Sequence, residues 1–474
     1  MLKSESIVNQ GIAIFERLVL NDKYKFQAYY NLANGLHNRS ILKWDNYGDK
    51  WSTQYRWYVD TIKDRLLAKY NYSISIENLQ DCNLIAREYN NRANMLNESF
   101  RWIEANRDYW NALNKDPRNG VAAGGIIKQI LFAYFKYDIQ EELLKSIVPP
   151  LFKIITDNDK YCIDLCGSHV YQRMVQELIN SNVHKIQVKT IKPLVQKLTP
   201  YQSFIFSNNL YLNPYISREL FDPNTCDSMQ IKAFVSAKSK DNSNVPAIFS
   251  MFNVIKADYL TIRWLAFNYF NSDLPKNSYY HDTLDYSVYG TKPSLLSITQ
   301  RIAFDILDKI AVAILSIVDD DKFDKAYFRN AWFKNKGKDV QRPIELKPII
   351  ENEIVKGNKA LLALSELAID IYDYYSDGCS YLKLKHKLRN SSTHRFTIMH
   401  DFGFENNFEY SGIDHYNLNE IEDELIDTLF IVKSAIIYFV EAIHFQSNII
   451  KEEKGGMFGT LYVPSHKEIR GEKT

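Results

Sequence analysis

Apolar residues recur at steps of three and four through much of this chain, and this periodicity constrains the fold more than any other feature. A clear example is the run Ile302, Ile306, Ile310, Ala313 and Ile317. Residues at this spacing lie on one face of an α-helix, where a neighbouring helix can bury them. Only 17 Gly and 13 Pro occur in 474 residues, so few breaks interrupt such helices. The sequence therefore predicts a mainly all-α protein.

The C-terminal part, residues 286–450, is predicted to be a four-helix bundle. Its first helix begins at Pro293 with Ser294 as N-cap, because a serine hydroxyl can accept a hydrogen bond from the free N–H groups of a first turn. The second helix covers 357–375, and the third is short and leads into Arg389. This arrangement puts Arg389 and the residues after it at a helix end.

The last helix of this bundle is predicted to begin near Asn419. Asn419 and Glu422 have the spacing of a capping box. The apolar stripe that would face the bundle consists of Leu425, Leu429, Val432, Ile436, Phe439 and Ile443. Before this helix, residues 395–416 are interpreted as either a hairpin or a lid.

Residues 1–135 are predicted to be helix pairs similar to tetratricopeptide repeats. Tyr89 and Ala93 fit the large and small packing positions of a first helix. A second helix carries the expected Ala, aromatic, Ala and terminal Pro at Ala105, Tyr109, Ala112 and Pro117. A weaker match near Ala33 lies too far upstream for the ~34-residue period, so an insertion is expected around 44–58. Stacked helix pairs form a concave surface for a protein or ligand partner.

The two ends of the chain are joined by a less regular part. Residues 136–285 are predicted to be a helical middle region with irregular pieces, because Pro193, Pro200 and Pro214 interrupt it. Residues 451–474 are charged and contain Gly-Gly, which indicates a weakly ordered tail.

The five cysteines are scattered, which argues against a disulfide framework and for a reducing compartment. Cys162, Cys166 and His169 are compatible with a metal site or with two buried helix cysteines. A metal site needs a fourth ligand that the sequence does not supply, so we predict neither a metal nor a cofactor. The N-terminus has no signal-peptide pattern and apolar runs are short, which predicts a cytoplasmic protein with no membrane contact.

The hexapeptide Arg389-Asn390-Ser391-Ser392-Thr393-His394 carries the strongest functional signal. Arginine can hold a phosphate through two parallel hydrogen bonds. Histidine exchanges its proton near neutral pH and can act as base or acid. RNA brings its own nucleophile, the 2′-hydroxyl, so these two groups are a minimal set for cutting RNA without a metal. A purely structural pair is the alternative.

A basic segment surrounds this motif, in a chain whose formal net charge is only +1. Between Gly378 and Met399 there are five Lys or Arg residues and no acid. Such a segment suits a phosphodiester backbone, although a solvated positive helix end is the alternative. His386 and His400 are interpreted as bystanders. The predicted RNA contacts are Lys383, Lys385, Lys387 and Arg395.

An arginine, a polar residue and a histidine at this spacing, followed by an aromatic residue and flanked by long apolar helices, resemble the HEPN superfamily (higher eukaryotes and prokaryotes nucleotide-binding). Further stretches are similar to a bacterial branch that joins a C-terminal HEPN bundle to tetratricopeptide-like helices. These stretches are 211–214, 255–264, 284–290, 303–311 and 328–332. The resemblance is sharpest at 389–394.

The resemblance implies a metal-independent endoribonuclease. In that case His394 moves the proton of the 2′-hydroxyl or of the leaving 5′-oxygen, Arg389 stabilises the phosphorane, and Asn390 orients the phosphate or the imidazole. Asp308, on the first bundle helix, is a candidate for fixing the tautomer of His394, with an ordinary surface charge as the alternative. The resemblance also implies a role in defence or stress, with the N-terminal helices as sensor or regulator.

The resemblance further implies an active site completed by dimerisation. One histidine cannot easily act as acid and base in one step, so a second motif across a two-fold axis is expected. Ile437, Tyr438 and Val440 lie off the apolar stripe of the last helix. We expect them to form the interface of a homodimer whose repeat arms point outward.

The sequence departs from some HEPN proteins, which carry a tyrosine two residues after the histidine that a partner nucleotidyltransferase modifies. Here the residues are His394-Arg395-Phe396, so the toxin–antitoxin form is not expected. The alternative function is a catalytically silent HEPN module that binds RNA or a nucleotide, with the repeats as a protein-interaction arm. A scaffold without any RNA function is a third interpretation.

Overall fold

The computed structural model confirms a mainly α-helical protein. It describes residues 4–21, 23–44, 47, 50–137, 141–187, 198–213, 226–232, 234, 246–273, 279–318, 323–334, 345–372, 380–382, 385, 388, 396–402 and 412–454. The helices of the first half are α1 Glu5–Leu18, α2 Lys25–Leu42, α3 Trp51–Asn78, α4 Cys82–Glu98, α5 Trp102–Lys115, α6 Gly120–Tyr137, α7 Glu141–Asp157, α8 Asp159–Cys166, α9 Ser168–Asn180 and α10 Pro200–Ser207.

The second half contains the remaining long helices and a small sheet. Its helices are α11 Ala247–Asn271, α12 Thr291–Ile317, α13 Pro348–Val355, α14 Lys359–Tyr372 and α15 Leu418–Lys454. The strands are β1 Ser287–Val288, β2 Phe396–His400 and β3 Ile413–Asn417. No described helix combines the length and the apolar character needed to cross a membrane.

The predicted helix pair of the N-terminal part is present as α4 and α5. Ala93, Ala105 and Ala112 have no exposed surface, and their small size lets the two helices approach closely. The Tyr109 hydroxyl fixes the pair by donating to Asn94 Oδ1 at 2.7 Å. Residues 51–58 of the expected insertion belong to the long helix α3. The assignment to tetratricopeptide repeats stays a prediction.

Four long helices, α11, α12, α14 and α15, pack together in the C-terminal part. The bundle therefore includes α11, which the sequence did not predict as a member. The predicted short helix leading into Arg389 stays a prediction. Residues at helical spacing along α11, including Phe252, Tyr259 and Ile262, are buried and explain its place in the bundle. Of the stretch from 383 to 389, the structure describes only Lys385 and Leu388.

Two predicted helix starts differ from the structure. α12 begins at Thr291 with Gly290 as its N-cap, so the Ser294 cap is wrong. The Ser294 N–H already donates to the Gly290 carbonyl inside the first turn. At the start of α15, the predicted capping box would have paired Glu422 with Asn419. The Glu422 carboxylate instead accepts a hydrogen bond from the Tyr269 hydroxyl at 2.6 Å. The first difference is local, because Ser294 already lies inside the helix, whereas in the second a tertiary partner holds the side chain expected to form the cap.

The small sheet lies directly after the 389–394 motif in sequence. β2 pairs in parallel with β3, with Phe396 opposite Ile413 and His400 opposite Asn417. β1 pairs antiparallel with β2. A hairpin would make β2 and β3 antiparallel, so that interpretation of residues 395–416 is wrong. The connection 403–411 lies outside the described residues.

The N-terminal helices cover the surface of α15 that was expected to form a dimer interface. Ile437, Tyr438 and Val440 have no exposed surface within the single chain. The Tyr438 hydroxyl accepts the Ile103 N–H at 3.2 Å, and the Trp102 indole N–H donates to Glu441 at 3.1 Å. The prediction that these three residues form a dimer interface is therefore wrong. The N-terminal helices pack on the bundle instead of pointing away from it.

Candidate functional site

The motif itself, residues 389–394, lies outside the described residues. The same holds for His386 and for the predicted RNA contacts Lys383, Lys387 and Arg395. The structure does describe the residues on both sides of the motif. Leu388, immediately before it, is buried at 3% exposure, and Phe396 begins β2 two residues after it. The chain is thus held at both ends of the motif.

Lys385 anchors the segment that precedes the motif. Its side chain is 2% exposed, and its ammonium lies 2.7 Å from both Glu424 and Asp427 on α15. Burial opposes the charge, but the two carboxylates outweigh it and raise the pKa of Lys385. Lys385 was expected to contact RNA. In the structure its ammonium points into the protein instead, where it pairs with Glu424 and Asp427.

Asp427 also joins this anchor to the N-terminal helices. The Arg107 guanidinium on α5 donates to Asp427, and it lies 4.0 Å from the centre of the Phe430 ring. Burial opposes ionisation of Asp427, but Arg107 and Lys385 lower its pKa well below the ordinary value. A chain of ionic contacts therefore runs from α5 through α15 to Lys385, four residues before Arg389.

Replacing Lys385 with methionine should destabilise the fold rather than weaken RNA binding directly. Removing the Lys385 ammonium takes this cation from Glu424 and leaves Asp427 with Arg107 as its partner, at a partly buried position. We expect a loss of about 2–4 kcal/mol in the free energy of unfolding, reduced by the partial exposure of the two acids. Urea denaturation measures this loss. The salt dependence of RNA binding should stay as in the wild type, whereas Lys387→Met, at a predicted RNA contact, should lower its slope by about 0.7. A lowered slope for Lys385→Met with unchanged stability would contradict this assignment.

A pair of histidines lies on the sheet that follows the motif. His400 Nε2 is 2.9 Å from His415 Nδ1, and His400 Nδ1 is 2.9 Å from the Asp285 carbonyl oxygen. A carbonyl only accepts, so His400 donates from Nδ1; with both rings neutral, His415 then donates to His400 Nε2. Burial and the neighbouring His400 lower the pKa of His415. The two rings therefore form a hydrogen-bonded unit on the sheet.

His415 is the residue that sequence reasoning missed. The parallel register places Ile398 opposite His415, so His415 and His400 share one face of the sheet. Only this pairing brings them together, since nothing local in the sequence relates 400 to 415. His400 was interpreted as a bystander, and its buried position beside β1 is compatible with a structural role.

Asp308 was expected to orient His394. One of its carboxylate oxygens accepts the Phe328 N–H at 2.7 Å, and the side chain is half-buried. Asp308 therefore holds the turn that carries the buried Phe328 and Trp332. A carboxylate can accept further hydrogen bonds. The contact with His394 stays a prediction, because His394 lies outside the described residues.

Comparison with known proteins identifies the C-terminal region. Residues 239–446 match the family model described as LA2681-like HEPN. The match begins before the expected boundary at residue 286 and so contains α11, in agreement with the packing of that helix in the bundle. The comparisons with curated proteins and with solved structures gave no match.

Proposed function

Because residues 239–446 form an HEPN domain of the LA2681-like type, we propose that this protein is a metal-independent endoribonuclease whose active site contains Arg389 and His394. An HEPN domain points to a nucleotide- or RNA-related function. The observation that carries the finer proposal is the 389–394 motif itself, which falls inside the matched range.

The division of labour follows from the chemistry of the side chains. His394 accepts the 2′-hydroxyl proton or protonates the leaving 5′-oxygen. Arg389 stabilises the charge of the phosphorane, which is usually the largest contribution to such a reaction. Asn390 orients the phosphate or the imidazole, and Asp308 fixes the tautomer of His394.

The structure around the motif supports this proposal. A catalytic pair must be held close to its productive geometry, and rigid elements do this better than free loops. Leu388 is buried and Lys385 is anchored on α15, while β2 takes up the chain again at Phe396. The span between them is short, which restricts the positions available to Arg389 and His394.

RNA binding is assigned to Lys383, Lys387 and Arg395, which share the acid-free segment with the motif. Single-stranded RNA fits such a segment because its phosphates release counterions when cations replace them. We propose a homodimer in which two motifs share one cleft, and its interface lies outside the covered surface of α15. The N-terminal helices, which bind both α14 and α15, act as the sensor or regulatory arm in a defence or stress response.

The proposal is tested by incubating the full-length protein with total RNA in EDTA and mapping the product ends. Attack by the 2′-hydroxyl leaves a cyclic or 3′-terminal phosphate on one fragment and a 5′-hydroxyl on the other. Cleavage with these ends in the presence of EDTA is the expected result. Loss of cleavage on chelation, or 5′-phosphate ends, would contradict the mechanism.

Replacing Arg389 with lysine should impair cleavage although the charge is kept. Lysine lacks the planar fork that holds two phosphate oxygens at once. Loss of one charge-assisted hydrogen bond is worth about 1.5–3 kcal/mol, so we expect a roughly 10–100-fold fall in kcat/KM. Single-turnover cleavage of a defined RNA measures it. Arg395→Lys serves as the control and should change the rate little, and wild-type activity of Arg389→Lys would reduce Arg389 to a general surface cation.

A further inference from the structure

Glu88 lies where three of the N-terminal helices meet. It belongs to α4 and has no exposed surface. Its Oε1 lies 2.6 Å from Ser75 Oγ on α3, and the same Oγ lies 3.0 Å from the Phe26 carbonyl oxygen on α2. The second carboxyl oxygen of Glu88, Oε2, is buried and has no hydrogen-bond partner among the described residues. A single hydroxyl group therefore connects the three helices at this point.

The number of hydrogen atoms available at this junction indicates that the Glu88 carboxyl is protonated. A serine hydroxyl carries one hydrogen, whereas a carbonyl and an ionised carboxylate only accept. If Glu88 were ionised, one of the two short contacts of Ser75 would join two oxygens with no hydrogen between them. If Glu88 is protonated, its O–H donates to Ser75 Oγ, and the Ser75 O–H donates to the Phe26 carbonyl. Both contacts are then hydrogen bonds.

Glu88 also differs from buried acids elsewhere in the molecule, which are paired with cations. Asp108 is paired with Arg92 at 2.7 Å, and Glu366 with Lys69 at 2.6 Å. Within the part of the chain that the structure describes, no lysine, arginine or histidine forms an ion pair with Glu88. A buried carboxyl without a cation takes up a proton more readily than it stays charged.

The groups that face Glu88 do not hold it in the ionised form. Arg92, one turn later on α4, favours the charged form, but its guanidinium is already bound by Asp108. Tyr72 on α3 stays neutral, because burial raises its pKa well above the usual value. From α2 the facing group is the uncharged Phe26 carbonyl. Burial outweighs Arg92 and the Ser75 hydrogen bond and raises the pKa of Glu88 to about 7.

The helix pair α1–α2 depends on a small core of its own. This apolar cluster is separate from the main core of the molecule. Its buried members are Val8, Ile12, Leu32, Ala33, Leu36, Ala68, Tyr72 and Met95. Elements with few buried apolar contacts open locally before the rest of a protein. We therefore expect the α1–α2 pair to respond first to a new charge at Glu88.

We propose that Glu88 is a pH-sensitive link, which holds the α1–α2 pair on α3 and α4 while it is protonated and loosens the pair when its proton passes to water. In the ionised state, the carboxylate and the Phe26 carbonyl compete for the one hydrogen of Ser75, and the buried charge has no cation. Opening of the pair relieves both, because water then reaches the carboxylate. This link supplies a physical signal, pH, for the regulatory role proposed for the N-terminal helices.

The direction of the pH effect follows from proton uptake. In the closed pair the pKa of Glu88 is about 7, whereas the ordinary value of 4.5 applies once the pair has opened. Between these values the closed pair binds more protons, so its stabilisation is fully present below pH 4.5 and is lost as the pH rises through 7. The equilibrium constant for opening should rise by up to about tenfold per pH unit in this window and level off above it.

Hydrogen exchange of the full-length protein at about pH 5 and about pH 8, on either side of the raised pKa, tests the proposal. Protection factors, which correct for the intrinsic pH dependence of exchange, should fall at least about tenfold for amides of α2. Amides of α14 in the HEPN domain should change much less. Equal protection of α2 at the two pH values would overturn the proposal.

Two variants assign the pH dependence to one group. Glu88→Gln keeps the shape, donates its amide N–H to Ser75 Oγ and cannot ionise, so the protection of α2 should be the same at both pH values. His37→Gln is the control. His37 Nε2 lies 3.4 Å from Glu98, and imidazole also titrates near neutral pH. This control should keep the pH dependence of the wild type. A dependence that persists in Glu88→Gln and disappears in His37→Gln would overturn the assignment.

Infrared spectroscopy detects the protonated carboxyl directly and keeps the proposal testable if Glu88→Gln is unstable. The wild type should show the carbonyl band of a buried carboxylic acid at about pH 6 and lose it at about pH 9, since these values lie on either side of the raised pKa. Glu88→Gln should lack this band at both pH values. A wild type without the band, or a variant that retains it, would overturn the proposal. Neither measurement uses RNA, so the outcome is independent of whether the protein cleaves RNA.

Discussion

Replacing His394 with alanine is expected to lower RNA cleavage by about 10²–10⁴-fold, the usual loss when a general acid–base group is removed. His394 is the only side chain of the 389–394 motif that titrates near neutral pH. The other motif residues can bind a phosphate but cannot transfer its protons. Single-turnover cleavage of a labelled RNA, with the wild type and the variant at equal concentration, measures the loss.

The control for this experiment is His386→Ala, which removes another histidine of the same basic segment. It should cleave at the wild-type rate, because we assign His386 no part in the reaction. Circular dichroism and the melting temperature should be the same for the wild type and both variants. Cleavage at the wild-type rate by His394→Ala would contradict the assignment of His394.

RNA affinity separates a nuclease from the silent binding module. In a nuclease His394→Ala loses turnover but keeps most RNA affinity, since Lys383, Lys387 and Arg395 remain. A silent module would show the same affinity and no turnover in the wild type either. A scaffold would show no specific RNA binding in any of these proteins. The three interpretations therefore differ in two measurements made on the same samples.

The sequence predicts helices well where apolar residues at steps of three and four mark the buried face. The periodic residues of α12 and α15 and the small residues of the α4–α5 pair all lie within one or two helices. Their burial follows from periodicity alone. The HEPN domain was likewise predicted from local motifs, and the family match confirms it.

The same reasoning could not predict which surfaces meet. Tyr438 is buried because α5 brings Glu104 and the Ile103 N–H to it, from more than 300 positions upstream. The apolar residues off the stripe predict a dimer interface, but a second part of the same chain covers them. Helical spacing shows that a surface is apolar, but it does not show what covers it.

The contacts next to the motif could not be predicted from the sequence for a related reason. In the sequence Lys385 has the same surroundings as Lys383 and Lys387, and only its contacts with Glu424 and Asp427 show that it is buried. The His400–His415 contact depends on the parallel register of β2 and β3. The sign of a charge can be read from a sequence, whereas the burial of a charged side chain depends on partners that are distant in sequence.

Replacing Glu366 with alanine should cost about 3–5 kcal/mol of the free energy of unfolding, the usual loss when one partner of a buried ion pair is removed. Glu366 lies on α14 at 1% exposure and accepts hydrogen bonds from Lys69 at 2.6 Å and Ser99 at 2.8 Å. Asp370, one turn later, accepts from Lys69 and from Arg101. These contacts attach the N-terminal helices to the HEPN domain. Without Glu366, Lys69 and Arg101 share fewer carboxylates in the interior, so the cost of burying these two charges is compensated less.

Denaturation in urea at neutral pH measures this loss, and Glu177→Ala is the matched control. Glu177 also pairs with a lysine and an arginine, but at side chains that are 43% or more exposed. Exposed pairs of this kind contribute about 0–1 kcal/mol. A change below about 1 kcal/mol for Glu366→Ala would mean that the interior cations find other partners, and the attachment between the two parts would have to lie elsewhere.

The contribution of Glu366 should also depend on pH. Burial alone would raise the pKa of Glu366, but Lys69 and Arg101 outweigh it and lower the pKa to about 2. The ordinary pKa of 4.5 applies to the unfolded chain. The folded state therefore binds fewer protons between these values, and the stabilisation is fully present above pH 4.5 and is lost as the pH falls towards 2. The wild type should lose stability over this range more steeply than Glu366→Ala, which has no carboxylate to protonate at this position. Parallel acid-denaturation curves for the two proteins would contradict the assignment of this ion pair as the pH-sensitive attachment.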